Sequence, residues 1–190
     1  MHPNLTSHAG LSQLVIVDMQ TRLSTAMPQD ALQAVIKNCG ILVAAAAMLD
    51  VLVVVTEQYP KGLGNTVPEL LELLPYLKPA NIKPVVKITF SCMAEPKFSR
   101  QLTRDRSQVI LAGMEAHVCV LQTAMGLIET GKQVFVAEDA VISRNPANKA
   151  NALARMRDAG CIISNTESIV FEWLGKAEGD NFKAISKLIR

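Results

Sequence analysis

Leu14-Val15-Ile16-Val17 is a run of four aliphatic residues that stops at Asp18. A strand with one wet face alternates apolar and polar residues, so an unbroken run calls for a strand covered on both faces, as in a parallel sheet. Comparable runs follow at Val51–Val55, Val85–Ile88, Val109–Ala112, Val134–Ala137 and Cys161–Ile163. Between these strands the spacing predicts helices over Ala31–Leu49, Val67–Leu74, Lys97–Leu102, Ala116–Thr130, Ala147–Ala159 and Thr166–Leu174. Asp180–Arg190 reads as a short final helix. Repeated β–α units make an α/β layered fold. Gly131 and Gly160 each stand between a helix and the next strand, where a helix stop belongs.

The composition bounds the function. A chain of 190 residues is one domain's length, read here as a single domain over 1–190. Its 19 basic and 17 acidic residues leave +2, too weak and too evenly spread for a nucleic-acid partner. Arg100, Arg104 and Arg106 read as a solvated face. Hydrophobic residues at 49% against 19% charged exclude disorder. No apolar run reaches the roughly 18 residues of a membrane span. Met1–Gly10 lacks a basic region followed by an apolar stretch, so no signal peptide is expected. Cys39, Cys92, Cys119 and Cys161 form no CxxC pair. They read as reduced thiols of a cytoplasmic protein. Gly62 and Gly64 lack the Lys-Ser/Thr of a P-loop, so Thr56–Gly64 reads as a flexible active-site loop, and no cofactor is expected.

In open parallel α/β sheets, ligands sit beyond the carboxyl ends of the strands. That rule selects Asp18, at the end of the first strand, and Lys87, at the end of the Pro84–Ile88 stretch. It also selects Cys119, in the first turn of the helix after Val109–Ala112 and Gly113. Each has an ordinary alternative, as a turn cap, a solvated charge or a core thiol. Together they make coherent chemistry. A thiolate is favoured by a helix N-terminus and a nearby cation, so Cys119 is expected to be the low-pKa thiol of the four. An aspartate can take the thiol proton and return it to a leaving group. Backbone N–H groups at the helix start can hold an oxyanion. Gln20, Tyr59 and Phe90 follow strand ends and are candidates for the substrate pocket.

Leu14–Gln20 (LVIVDMQ), Val85–Cys92 (VVKITFSC), Val109–Ala124 (VILAGMEAHVCVLQTA) and Val134–Arg144 (VFVAEDAVISR) together resemble the isochorismatase-like, or cysteine hydrolase, superfamily. Thr56–Gly64 (TEQYPKGLG) and Gly113–Cys119 (GMEAHVC) resemble its isochorismatase-domain-containing and YcaC-type subgroup. The resemblance implies a three-layer α/β/α sandwich around a six-stranded parallel sheet. It implies an Asp18–Lys87–Cys119 triad and a cis peptide at Met114–Glu115. The Glu115 and Cys119 N–H groups would then form the oxyanion hole. Nicotinamidases of the superfamily add a metal held by Asp and two His after the second strand. Here the only histidines are His2, His8 and His117, so no metal is expected. His117, two residues from Cys119, points to another helix face and reads as structural or substrate-side.

The reading is a metal-independent hydrolase of a small amide or ester, acting through a thioester. Its rivals are an isochorismatase-type vinyl-ether hydrolase and a non-catalytic interaction protein on the same fold. The apolar composition and uncharged Ala44–Leu49, with the habit of the resembled family, lead us to expect a homo-oligomer whose interface lies near the active-site edge.

Overall fold

A computed structural model of the chain describes residues 5–77 and 82–190. Its six strands are β1 (Ser12–Val17), β2 (Leu52–Gln58), β3 (Val85–Lys87), β4 (Gln108–Met114), β5 (Gln133–Ile142) and β6 (Ile162–Ser164). They form one parallel sheet in the order β3-β2-β1-β4-β5-β6. The longer helices are α1 (Gln29–Met48), α2 (Leu121–Glu129), α3 (Pro146–Asp158), α4 (Thr166–Leu174) and α5 (Gly179–Ile189).

The unbroken runs are explained by two cores. Leu14 and Ile16 face one side with Val53, Val55, Ile110 and Phe135, under α1, α4 and α5. Val15 and Val17 face the other with Val54, Leu111, Val134 and Val136, under α2 and α3. Every position from Leu14 to Val17 therefore faces a core, which only a sheet covered on both sides demands. Helix α1 is long and apolar enough to cross a membrane. Here its Leu32, Val35, Cys39, Leu42 and Ala46 are spent on the first core.

Gly131 and Gly160 take positive φ (79° and 99°) just past α2 and α3. Strand β5 differs from expectation, running five residues past Ala137 to Ile142. Glu138 and Asp139 interrupt its apolar run, but Asp139 Oδ1 accepts hydrogen bonds from the Thr166 N–H and hydroxyl at 2.8 Å. A carboxylate satisfied by the start of a neighbouring helix can stay in the strand. The extension resumes pairing at Gly113–Val141 and Met114–Ile142 after a register shift. The first turn after β4 also differs: Ala116–Val120 winds as a π-turn before α2 begins.

The chain's crossover reverses direction between β1 and β4, so the carboxyl ends of these two neighbours diverge into a crevice. Asp18 leaves β1 into that crevice and Cys119 follows β4.

Candidate active site

Asp18 adopts a left-handed conformation (φ 50°), which Asp tolerates better than most residues. The turn takes the residue out of β1 and over the edge of the sheet. Its backbone N–H donates to the Thr56 carbonyl and hydroxyl oxygens on β2, at 3.2 and 3.3 Å. Its carboxylate is fully buried and held from two sides. The Thr56 hydroxyl donates to Oδ1 at 2.7 Å, and the Lys87 ammonium donates to Oδ2 at 2.6 Å.

Lys87 comes from the edge strand and is paired in register with Gln58. Its Nζ also reaches Gln58 Oε1 at 2.8 Å and the Thr89 and Phe90 carbonyls at 3.2 Å. A buried ammonium is tolerable only when so surrounded. Burial disfavours its charge, but Asp18, then Cys92 and Cys119, outweigh that cost and raise the Lys87 pKa.

Cys119 sits in the π-turn, where the Glu115 carbonyl accepts both the Val118 and Val120 N–H groups. Its side chain is almost covered, with 5% exposure. Burial first, then the charge of Asp18 and a hydrogen bond to it, push the Cys119 thiol up, while Lys87 pulls it down. The expected low-pKa thiol is therefore not what the resting geometry holds. Lys87 is neutralised by Asp18, so its pull on sulfur is weaker than the carboxylate's push. The resting site is a neutral thiol beside the Asp18–Lys87 salt bridge.

Gly113 makes this approach possible. At φ 115° a Cβ here would lie 2.0 Å from the Val17 carbonyl oxygen, so β4 can close on β1 only without a side chain. The peptide Met114–Glu115 is cis.

A cavity of about 230 Å³ opens over the sulfur, walled by Cys119, Phe90, Leu63, Val118, Glu115 and Arg144. Phe90 stands at its wall. Tyr59 is exposed on the next loop and packs against Gly62. Gln20 is fully buried. Its Oε1 accepts from the Gln58 N–H at 2.7 Å, and its Nε2 donates to the Gln58 and Gly64 carbonyls at 3.0 and 2.5 Å. Its amide is spent on backbone, so it frames the site rather than facing the cavity. The Gln20–Gly64 bond, with those from Arg22 Nη1 to the Lys61 and Gly62 carbonyls, ties Thr56–Gly64 to the segment after β1.

His117 turns away from Cys119. Its Nδ1 lies 3.0 Å from Ser143 Oγ and 3.9 Å from Glu115 Oε2. Among the described residues, no three His, Cys, Asp or Glu side chains converge as a metal-binding group. His2 lies outside those residues. Thr56, Gln58 and Arg144 were not singled out from the sequence. The first two follow the apolar run of β2 as Thr-Glu-Gln, so the strand-end rule that found Asp18 points to them as well.

Residues 12–168 match the family defined by the isochorismatase domain. The chain belongs to the isochorismatase family. Among its relatives, isochorismatase domain-containing protein 2 of Danio rerio is 37% identical over 179 residues, covering 94% of this chain and 86% of the relative. A solved family structure, the MAR1 ribonuclease of Caenorhabditis elegans, is 36% identical with a TM-score of 0.88, over 97% of this chain and 92% of that one. The YcaC product of Escherichia coli, described as an octameric hydrolase of unknown specificity, shares the isochorismatase fold. Its TM-score is 0.87 at 22% identity, over 100% of this chain and 91% of that one. A six-stranded parallel sheet flanked by helices is the isochorismatase-like arrangement.

Proposed function

We propose that this chain is a cysteine hydrolase of small amides or esters, working through a thioester and without a metal. The observation that carries the reading is Asp18, bound to the Lys87 ammonium at 2.6 Å and close enough to the Cys119 thiol to raise its pKa, beside a small cavity that Cys119 lines. Asp18 takes the thiol proton as sulfur adds to the carbonyl carbon. The Glu115 and Cys119 N–H groups receive the oxyanion. The carbon–nitrogen bond then breaks and the amine leaves with the proton from Asp18. Asp18 next deprotonates water, which hydrolyses the thioester and restores the thiol. Lys87 holds the Asp18 carboxylate in place between these transfers.

The name of the nematode relative raises ribonuclease chemistry. Arg100, Arg104 and Arg106 precede β4, about 20 Å of strand away from Cys119 at its far end. Arg106 is spent on the Ala9 and Asp50 carbonyls. These arginines do not flank the cavity, which favours a small-molecule substrate and no nucleic-acid or membrane partner. The four cysteines are buried free thiols, in keeping with the reducing cytoplasm we infer as its location.

A homo-oligomer is part of the proposal. Val86, Ile88, Phe90 and Tyr59 are all about half exposed or more along the edge strand and its flanks, beside the cavity. Ala45 and Ala46, by contrast, are buried within one chain. YcaC of Escherichia coli is octameric.

A panel of small amides, esters, vinyl ethers and single-stranded RNA, run with the protein and with Cys119→Ala, tests the function. Amide or ester hydrolysis lost in the variant, with an acyl adduct on Cys119 by intact mass, is expected. Turnover of only the vinyl ether or RNA, or turnover that survives in Cys119→Ala, would overturn the reading. Activity is expected to persist after exhaustive chelation. Light scattering at micromolar concentration reads the assembly, and a 20.6 kDa species would refute it.

A further inference from the structure

The β4–β5 ladder stops just short of the turn that carries Cys119. Its last pair is Met114 with Ile142, and Glu115 stands between that pair and the turn Ala116–Val120. Beyond the last pair a side chain takes over from the backbone. Glu115 Oε2 accepts the Arg144 backbone N–H at 3.0 Å, and Glu115 Oε1 lies 3.5 Å from Arg144 Nε. Two residues on, His117 Nδ1 lies 3.0 Å from Ser143 Oγ and 3.9 Å from Glu115 Oε2. Ser143 and Arg144 thus strap the start of the turn at two points. The Glu115 side chain is 8% exposed, and a carboxylate so covered is tolerable only with partners of this kind.

The strap acts on the Glu115 backbone. Its carbonyl closes the turn by accepting the Val118 and Val120 N–H groups, and its N–H is one of the two donors assigned above to the oxyanion. With the side chain and the carbonyl both held, the direction of that N–H is fixed. The bond to the Arg144 N–H is the stronger part of the strap, being buried and charge-assisted. The Arg144 guanidinium is 62% exposed, so its pairing with Glu115 adds little. The strap therefore needs reach more than charge: an acceptor oxygen at the end of a two-methylene stem.

We propose that the Glu115 side chain is a positioning residue, which aims its own backbone N–H at the oxyanion formed on the substrate. The inference rests on the hydrolase reading and deepens it. The Glu115 carboxylate takes no part in the proton transfers.

Two conservative variants test it. Glu115→Asp keeps the charge and loses the reach, whereas Glu115→Gln keeps the reach and loses the charge. The kcat and KM of each are measured with an amide or ester that the unmodified protein hydrolyses, beside the rate of iodoacetamide labelling at Cys119. Alkylation forms no oxyanion, so it reads the thiol alone. In Glu115→Asp, kcat is expected to fall about tenfold to a hundredfold, as for a donor misplaced rather than missing. KM and the labelling rate should change little. Glu115→Gln should keep most of kcat. An unchanged kcat in Glu115→Asp, or a kcat that falls only in step with labelling, would leave Glu115 a structural residue and overturn the inference alone. Equal losses in the two variants would do the same, since charge would then matter and not reach. If the unmodified protein hydrolyses no amide or ester, the hydrolase reading falls and takes this inference with it.

Discussion

The Thr56 hydroxyl donates a 2.7 Å hydrogen bond to Asp18 Oδ1, while the Asp18 N–H points back at Thr56. Two adjacent strands thereby clamp the carboxylate from backbone and side chain at once. Thr56→Val keeps the shape and removes the donor, leaving a buried carboxylate oxygen short of a partner. The expected loss is about 1–3 kcal/mol of stability. Turnover should fall roughly tenfold to a hundredfold with KM unchanged, because Asp18 is misplaced rather than removed. Thr56→Ser should restore both. Turnover equal to that of the unmodified protein would show that Thr56 does not position Asp18.

Asp18→Asn separates reactivity from catalysis. The carboxylate helps push the Cys119 thiol up, and Lys87 pulls it down. With the charge gone, the Lys87 pull is unopposed, and iodoacetamide should label Cys119 faster at mildly alkaline pH. Hydrolysis should nonetheless fall about 10²–10⁴-fold, the worth of a general base. Slower labelling in Asp18→Asn would contradict the resting charge state described above.

Gly113→Ala should damage the fold as well as the site. A Cβ would lie 2.0 Å from the Val17 carbonyl oxygen, a backbone atom in the central strand that cannot turn aside. The positive φ alone costs an alanine about 1–3 kcal/mol, and the clash adds to it. A urea midpoint close to that of the unmodified protein would refute the close approach of β4 to β1.

The Cys39 thiol predicts alkaline instability. Burial, with Asp139 nearby, raises its pKa from 9.0 to about 12 in the fold. Below pH 9.0 the thiol is protonated in both folded and unfolded chains, and the stability this gives is fully present. Above pH 9.0 the unfolded chain loses the proton first, so stability falls until about pH 12. The slope for this one thiol is about 1.4 kcal/mol per pH unit. Cys92 and Cys161, each raised to about 11, add to it over a narrower range. Urea midpoints across this range should drop less steeply in Cys39→Ala than in the unmodified protein. Equal slopes would show that Cys39 ionises as readily in the fold as out of it.

Leu14–Val17 and its counterparts named the sheet from the sequence alone, because a strand buried on both faces must be apolar at every position. Gly131 and Gly160 marked the ends of α2 and α3, since a left-handed stop excludes most side chains. Asp18, Lys87 and Cys119 were legible as one group because strand ends of a parallel sheet share an edge. Tertiary structure decided which polar group answers which. Gln20 and Gln58 are both amides near strand ends, yet Gln20 is spent on backbone carbonyls and an N–H, and Gln58 takes the Lys87 ammonium. Glu138 and Asp139 read as the end of a strand until Thr166, 27 residues after Asp139, supplies the hydrogen bonds that let β5 continue and deliver Arg144 to the cavity. The direction of the Cys119 shift was likewise beyond the sequence. It is a sum of burial and two opposed charges, and such a sum turns on distances that exist only once β1, β3 and β4 are side by side.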